Sequence, residues 1–194
     1  DKELLKSKPL DCATEDGVEV YENHELENND HSRALSECVR MYFEVDYNIY
    51  VNKGSSTTQT SNYITGLYNQ VATLYSNEQI NTTISEIFIW TSASPYTGTT
   101  SSAMLNQFTA YRNGFNGNIA MLLSYSASGG IAYVNTLCNS NSDYRMSFSS
   151  ISSTYNTVPT YSWSVEVITH EFGHLLGSQH THACAWNGNN TAID

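Results

Sequence analysis

Hydrophobic positions change period several times along the chain, and each change predicts an element. Met41, Phe43, Val45, Tyr47, Ile49 and Val51 alternate with Tyr42, Glu44, Asp46, Asn48 and Tyr50, the two-residue period of a strand with one buried face. Ile64, Leu67, Tyr68, Val71, Leu74 and Tyr75 then recur at helical spacing, with Ser61 or Asn62 placed to cap the first turn. Residues 84–90 are almost continuously apolar and end in a polar, Pro-containing stretch, as in a strand buried on both faces. Ser101 or Ser102 opens a helix carrying Met104, Leu105, Phe108 and Tyr111, which Asn113-Gly114 can end. Residues 118–124 predict another buried strand, Gly129-Gly130 leads into a short one at 131–135, and Tyr144, Met146 and Phe148 alternate in a further one. A last helix over about 162–176 has Val165, Ile168, Phe172, Leu175 and Leu176 on its core face. The Ser/Thr patches at 55–61 and 97–102 read as loops. This order of strands and helices implies an α/β sandwich around a twisted, mostly parallel sheet.

Composition bounds what such a fold can do. Charged residues are only 14% of the 194-residue chain, so solubility falls to 25 Ser, 20 Thr and 20 Asn. A net charge of -11 argues against a nucleic-acid partner, which requires clustered Lys and Arg. The longest strictly apolar run, 119–123, is far short of the roughly 20 residues that span a bilayer. The missing initiator Met and leader suggest a processed or trimmed chain. Charge is also uneven: 13 of the 19 acidic residues lie in positions 1–46. Residues 1–37 show no sustained period and read as an acidic lead-in segment or propeptide remnant, leaving 38–194 as the folded domain. Cys12, Cys38, Cys138 and Cys184 lack any CxxC pairing and read as disulfide partners of a secreted, extracellular protein.

The chemistry concentrates on the last helix. His170 and His174 are four apart and stand one turn above the other, which aims two imidazoles at a single metal ion. Glu171 lies beside the same cleft, within reach of a water there. Gly177 can take the left-handed conformation that ends the helix, so that His180 swings back as a third ligand. The whole string, His170-Glu171-Phe172-Gly173-His174-Leu175-Leu176-Gly177-Ser178-Gln179-His180, is HExxHxxGxxH. Core packing has no reason to choose these spacings.

This string resembles that of the metzincin zinc endopeptidases. Gly130-Ile131-Ala132-Tyr133 with Cys138 downstream, and the stretch His182-Ala183-Cys184-Ala185-Trp186-Asn187-Gly188-Asn189-Asn190, resemble the adamalysin/reprolysin-like branch, including its secreted bacterial members. The resemblance covers about 41–180. It implies that His170, His174 and His180 bind Zn2+ and that Glu171 is the general base of peptide hydrolysis. It also implies an antiparallel edge strand, at 131–135, along which a protein or peptide substrate lies extended. Thr181 stands where animal adamalysins have Asp, and the chain stops at Asp194, before any Met-containing turn, as in a domain truncated there. The rival reading is a non-catalytic secreted binding or adhesion module on this fold, against which the intact Glu171 speaks. A peptidase whose third ligand is a more distant Glu is disfavoured by Gly177 and His180.

Other residues carry less. His182 breaks the Gly-x-x-His spacing and reads as a surface or outer-shell group. His24 and His31 sit among acids and read as solvated. For Cys12 a disulfide with Cys38 is the plainer reading, and occupation of an open zinc position by a pro-segment cysteine is the alternative. Asn81-Thr82-Thr83 and Asn189-Asn190-Thr191 match glycosylation acceptors, relevant only in a eukaryotic secretory host.

Overall fold

In the computed structural model, residues 12–16, 38–184 and 192 are described. His24, His31 and the stretch 185–191, with its acceptor at Asn189, lie outside them. Strand β1, Val39–Val45, is followed at once by helix α1, Tyr47–Asn52. The alternating pattern running on to Val51 is therefore cut at Asp46, whose carboxylate accepts from Tyr47 N at 2.7 Å and caps the helix. Of the apolar residues beyond the cut, Ile49 is buried and Val51 is 47% exposed. β1 is also buried on both faces, because helices cover both sides of the sheet.

Helix α2, Thr57–Asn77, begins inside the Ser/Thr patch that reads as a loop. Ser56 caps it by accepting from Gln59 N, and the buried Thr60 donates its Oγ1–H to Ser56 O at 2.8 Å. Short hydroxyl side chains serve a helix start as well as a loop, so composition alone misplaces the boundary by several residues. Strand β2, Thr82–Ile89, is only partly buried, which corrects the reading of a doubly covered strand. It is an edge of the sheet. Helix α3, Ser101–Tyr111, is capped by Thr100; strands β3, Ile119–Ser124, β4, Gly130–Ala132, and β5, Met146–Ser150, follow, and helix α4, Trp163–Leu176, comes last.

The five strands form one sheet in the order β2-β1-β3-β5-β4. All neighbours are parallel except β4, which runs antiparallel to β5 and forms the other edge. Met41, Phe43, Val45, Ile119, Met121 and Leu123 point to the face covered by α2 and α4. The alternate positions Tyr42, Ala120, Leu122, Met146 and Phe148 point to α3. The fold is thus an α/β sandwich with a mostly parallel sheet and an antiparallel edge strand. No helix among the described residues is long and apolar enough to cross a membrane.

None of the four cysteines is in a disulfide, which corrects the reading of all four as bridged. Cys38, Cys138 and Cys184 are exposed. Cys12 is drawn away from Cys38 because its backbone pairs with Gly130 on β4 and Ala13 N donates to Gly130 O at 3.0 Å.

Candidate metal centre

The α4 register sets the centre. Apolar Val165, Ile168, Phe172 and Leu175 dock on the sheet, and the ring of Phe172 meets that of Phe43 edge-on at 5.6 Å. This fixes the rotation that turns His170 and His174 toward one another. Their Nε2 atoms are 3.0 Å apart. At Gly177 the chain takes a φ of +113°, and Gly177 N donates to His174 O at 2.9 Å, so the helix stops within one residue. A Cβ there would meet both an unfavourable φ and Asn135 Oδ1 at 3.4 Å. The reversal carries the His180 ring to 5.3 Å from that of His170 and 4.7 Å from that of His174. It also brings Ser178 O to 2.7 Å from His174 Nδ1, which fixes that ring.

The three imidazoles and Cys12 each offer a ligand atom, all within 4.8 Å of one another. Cys12 Sγ is 3.5 Å from His174 Nε2. A tetrahedral zinc site places its nitrogens about 3.3 Å apart and a nitrogen and a thiolate sulfur about 3.5 Å apart. Three imidazoles and one thiol, with the His170–His174 and Cys12–His174 separations near these values, fit Zn2+ in donor chemistry. Burial, reinforced by His174 and His180, drives His170 down to about 3, and burial lowers His174 as well, so these rings are held neutral, as ligation requires. Burial and then the Glu171 charge push the Cys12 thiol up to about 12. A coordinated cation reverses that order and takes the thiol to thiolate.

Glu171 is fully buried against the edge strand. Burial pushes its carboxyl up to about 8, against hydrogen bonds from Cys12 and Thr14 that pull it down. Thr14 Oγ1 lies 3.4 Å from Oε2, and Oε1 has no hydrogen-bond partner among the described residues. Gly130 makes the room: a Cβ there would lie 2.6 Å from both Cδ and Cγ of Glu171. Beside His170, an apolar cavity of about 700 Å³ is bounded by Leu74, Val158, Pro159, Tyr161 and Val165.

Residues 12–16 of the lead-in segment lie across all of this. Ala132 N donates to Thr14 Oγ1 at 2.9 Å, and Asp16 Oδ1 sits 2.7 Å from His180 Nδ1. His182 is exposed, with Nε2 3.5 Å from Asp16 Oδ2, and it stacks on His180 without joining the three imidazoles. Of the two readings offered for Cys12, the disulfide with Cys38 is not formed and the thiol instead faces the imidazoles; Thr14, Asp16 and the part Gly130 plays beside Glu171 were passed over. Thr14 and Asp16 meet partners more than a hundred residues away and Gly130 meets Glu171 about forty residues on, so no local spacing marks them; only the Gly in Gly130-Ile131-Ala132-Tyr133 carried a signal, as part of an edge strand.

Comparison with known proteins places these features. No curated protein matches the chain. Among solved structures, that of a chaperone-substrate complex is similar at 12% identity and a TM-score of 0.55, over 77% of this chain and 25% of that one. Metalloproteinase-II from Bacteroides fragilis is similar at 18% identity and a TM-score of 0.46, over 82% of this chain and 49% of that one. The chain therefore spans at most about half the length of these two structures. Residues 36–192 match the reprolysin model of metallo-peptidase family M12, most of the chain including the three histidines and Glu171, and the chain belongs to that family.

Proposed function

We propose that the protein is a secreted zinc endopeptidase whose lead-in segment lies in the cleft as a latency element. The observation that carries this reading is the convergence of His170, His174 and His180 beside a buried Glu171, whose Oε1 has no partner among the described residues, at the β4 edge of the sheet. His170, His174 and His180 would hold Zn2+. When bound, the ion supplies Lewis-acid polarisation of a carbonyl and a water acidified toward neutral pH.

The remaining roles belong to the protein. Glu171 accepts a proton from the attacking water at its carboxylate and delivers it to the leaving amine, a function typically worth 10² to 10⁴ in rate. Its elevated proton affinity suits both halves of that task. Gly130 O and Ala132 N are the β4 groups with which an extended peptide would pair, adding itself to the sheet. Ala13 and Thr14 occupy these same groups. Cys12 meanwhile faces the imidazoles from the side where substrate would enter, which accounts for a latent state when a metal is bound. Secretion is supported by the Ser/Thr/Asn-rich, Lys-poor composition.

The test is cleavage of a mixed peptide library, read by new termini in mass spectrometry. The chain is assayed as a Cys12→Ser variant with and without a zinc chelator, and beside Cys12→Ser/Glu171→Gln. Cuts that vanish with chelator, and that Glu171→Gln abolishes while zinc stays bound, are expected. Hydrolysis at an undiminished rate in the Glu171→Gln protein rejects the assignment.

A further inference from the structure

The three imidazoles are not supported alike. His174 is oriented by Ser178 O at 2.7 Å, in the turn that ends its own helix, where Ser178 N donates to Gly173 O at 2.9 Å. The Nδ1 of His180 instead meets Asp16, 164 residues away on the lead-in segment. We infer that Asp16 is a positioning residue for His180, so that the attached lead-in segment tightens metal binding through a second route besides Cys12.

An imidazole that gives Nε2 to a metal carries its proton on Nδ1, and the group accepting that proton fixes both tautomer and ring orientation. A carboxylate is the strongest such acceptor available to a protein and raises the basicity of the ligating nitrogen. Asp16 is placed for this: Oδ1 is 2.7 Å from Nδ1, the His180 backbone N–H points to the same oxygen at 3.4 Å, and the His180 side chain is only 11% exposed. With Nδ1 engaged by Asp16, Nε2 is the nitrogen left to serve a metal. His180 follows the left-handed turn outside α4, so its backbone is not held by helical hydrogen bonds as those of His170 and His174 are. It is the ligand that gains most from an outside partner. Loss of the lead-in would remove two supports at once, the sulfur facing the imidazoles and the carboxylate behind the third ligand.

This inference rests on the zinc-site reading above, and the experiment separates the two. Metal is stripped from the full chain, and zinc is titrated back against a chromophoric chelator in the native protein, Asp16→Ala, Asp16→Asn, His180→Ala and Asp16→Ala/His180→Ala. Outer-shell partners of ligating histidines typically contribute 10- to 100-fold in metal affinity. Asp16→Ala should lose that factor and Asp16→Asn, whose amide oxygen still accepts the N–H, should recover part of it. In the His180→Ala background Asp16→Ala should cost less than twofold. Cobalt substitution guards against a merely structural effect: the thiolate-to-cobalt charge-transfer band should persist in Asp16→Ala, because Cys12 still reaches the metal. A lost band, equal cost of Asp16→Ala with and without His180, or an affinity within twofold of native overturns the inference while leaving the zinc site standing. Failure of the native chain to take up zinc overturns both.

Discussion

Glu171 and Gly130 form a unit in which one residue exists to make room for the other. The carboxylate that would move the proton is packed where any β-carbon on residue 130 would stand, 2.6 Å from Cδ and Cγ and so well inside van der Waals contact. Gly130→Ala should therefore push the carboxylate out of line without touching a metal ligand. A misplacement of about 1 Å at a reacting group can cost 10²-fold in rate. In the Cys12→Ser background, we expect kcat to fall on the order of 10²-fold with KM and zinc content little changed. A variant that keeps its kcat would mean that Glu171 can relax around the added methyl. Gly177 makes a different demand, because its φ of +113° is strained for any L side chain. Gly177→Ala should lower stability by about 1–2 kcal/mol and weaken metal affinity as well, since the same turn delivers His180.

At the scale of elements, the ends of helices were harder to read than their middles. The helical spacing of Ile64 through Tyr75 and of Val165 through Leu175 was plain because each face must match a sheet of fixed pleat. The starts were set by single hydrogen bonds, at Asp46, Ser56 and Thr100, and several neighbouring Ser, Thr and Asn residues offered the same chemistry. The edge character of β2 was not legible at all, since pairing order depends on residues far apart in the chain. Nor did the sequence mark Glu44, a fully buried carboxylate on β1 that receives hydrogen bonds from Tyr42, Trp90, Tyr96 and Arg112. Arg112 comes from the end of α3 and stacks over Phe88 at 4.4 Å, so this network ties that helix to the sheet. Removing one partner of a buried pair leaves a charge uncompensated, at a cost of 3–5 kcal/mol where both partners are buried. Because Arg112 is partly exposed, Arg112→Ala should lose about 3 kcal/mol, lowering Tm by roughly 6–12 °C for a domain of this size. A melting curve that shifts by less than 2 °C would show that the tyrosine and tryptophan donors alone satisfy Glu44.

Across the whole molecule, the described lead-in residues 12–16 meet the α/β domain through contacts of two kinds. Backbone and hydroxyl contacts to β4, at Ala13 and Thr14, are the sort any extended peptide makes and are individually worth about 1 kcal/mol. Cys12 and Asp16 instead bear on the metal ligands, so their contribution depends on the ion. A metal present at 100 times its dissociation constant stabilises the state that binds it by about 2.7 kcal/mol. Part of that energy is available to the segment only while the ion is in place. Chelation should therefore release the lead-in before it unfolds the domain. Hydrogen exchange gives the direct reading: the amides of Ala13 and Ala132 should be protected in the zinc-loaded chain and exchange at least tenfold faster with chelator, while the amides of β3 hold. The Cys12 thiol should follow the same course, reacting slowly with an alkylating reagent beside the exposed Cys38, Cys138 and Cys184, and at a comparable rate once the ion is gone. If the Ala13 and Ala132 amides stay protected without metal, the β4 contacts alone hold the segment, and latency then depends on strand pairing rather than on the sulfur facing the imidazoles.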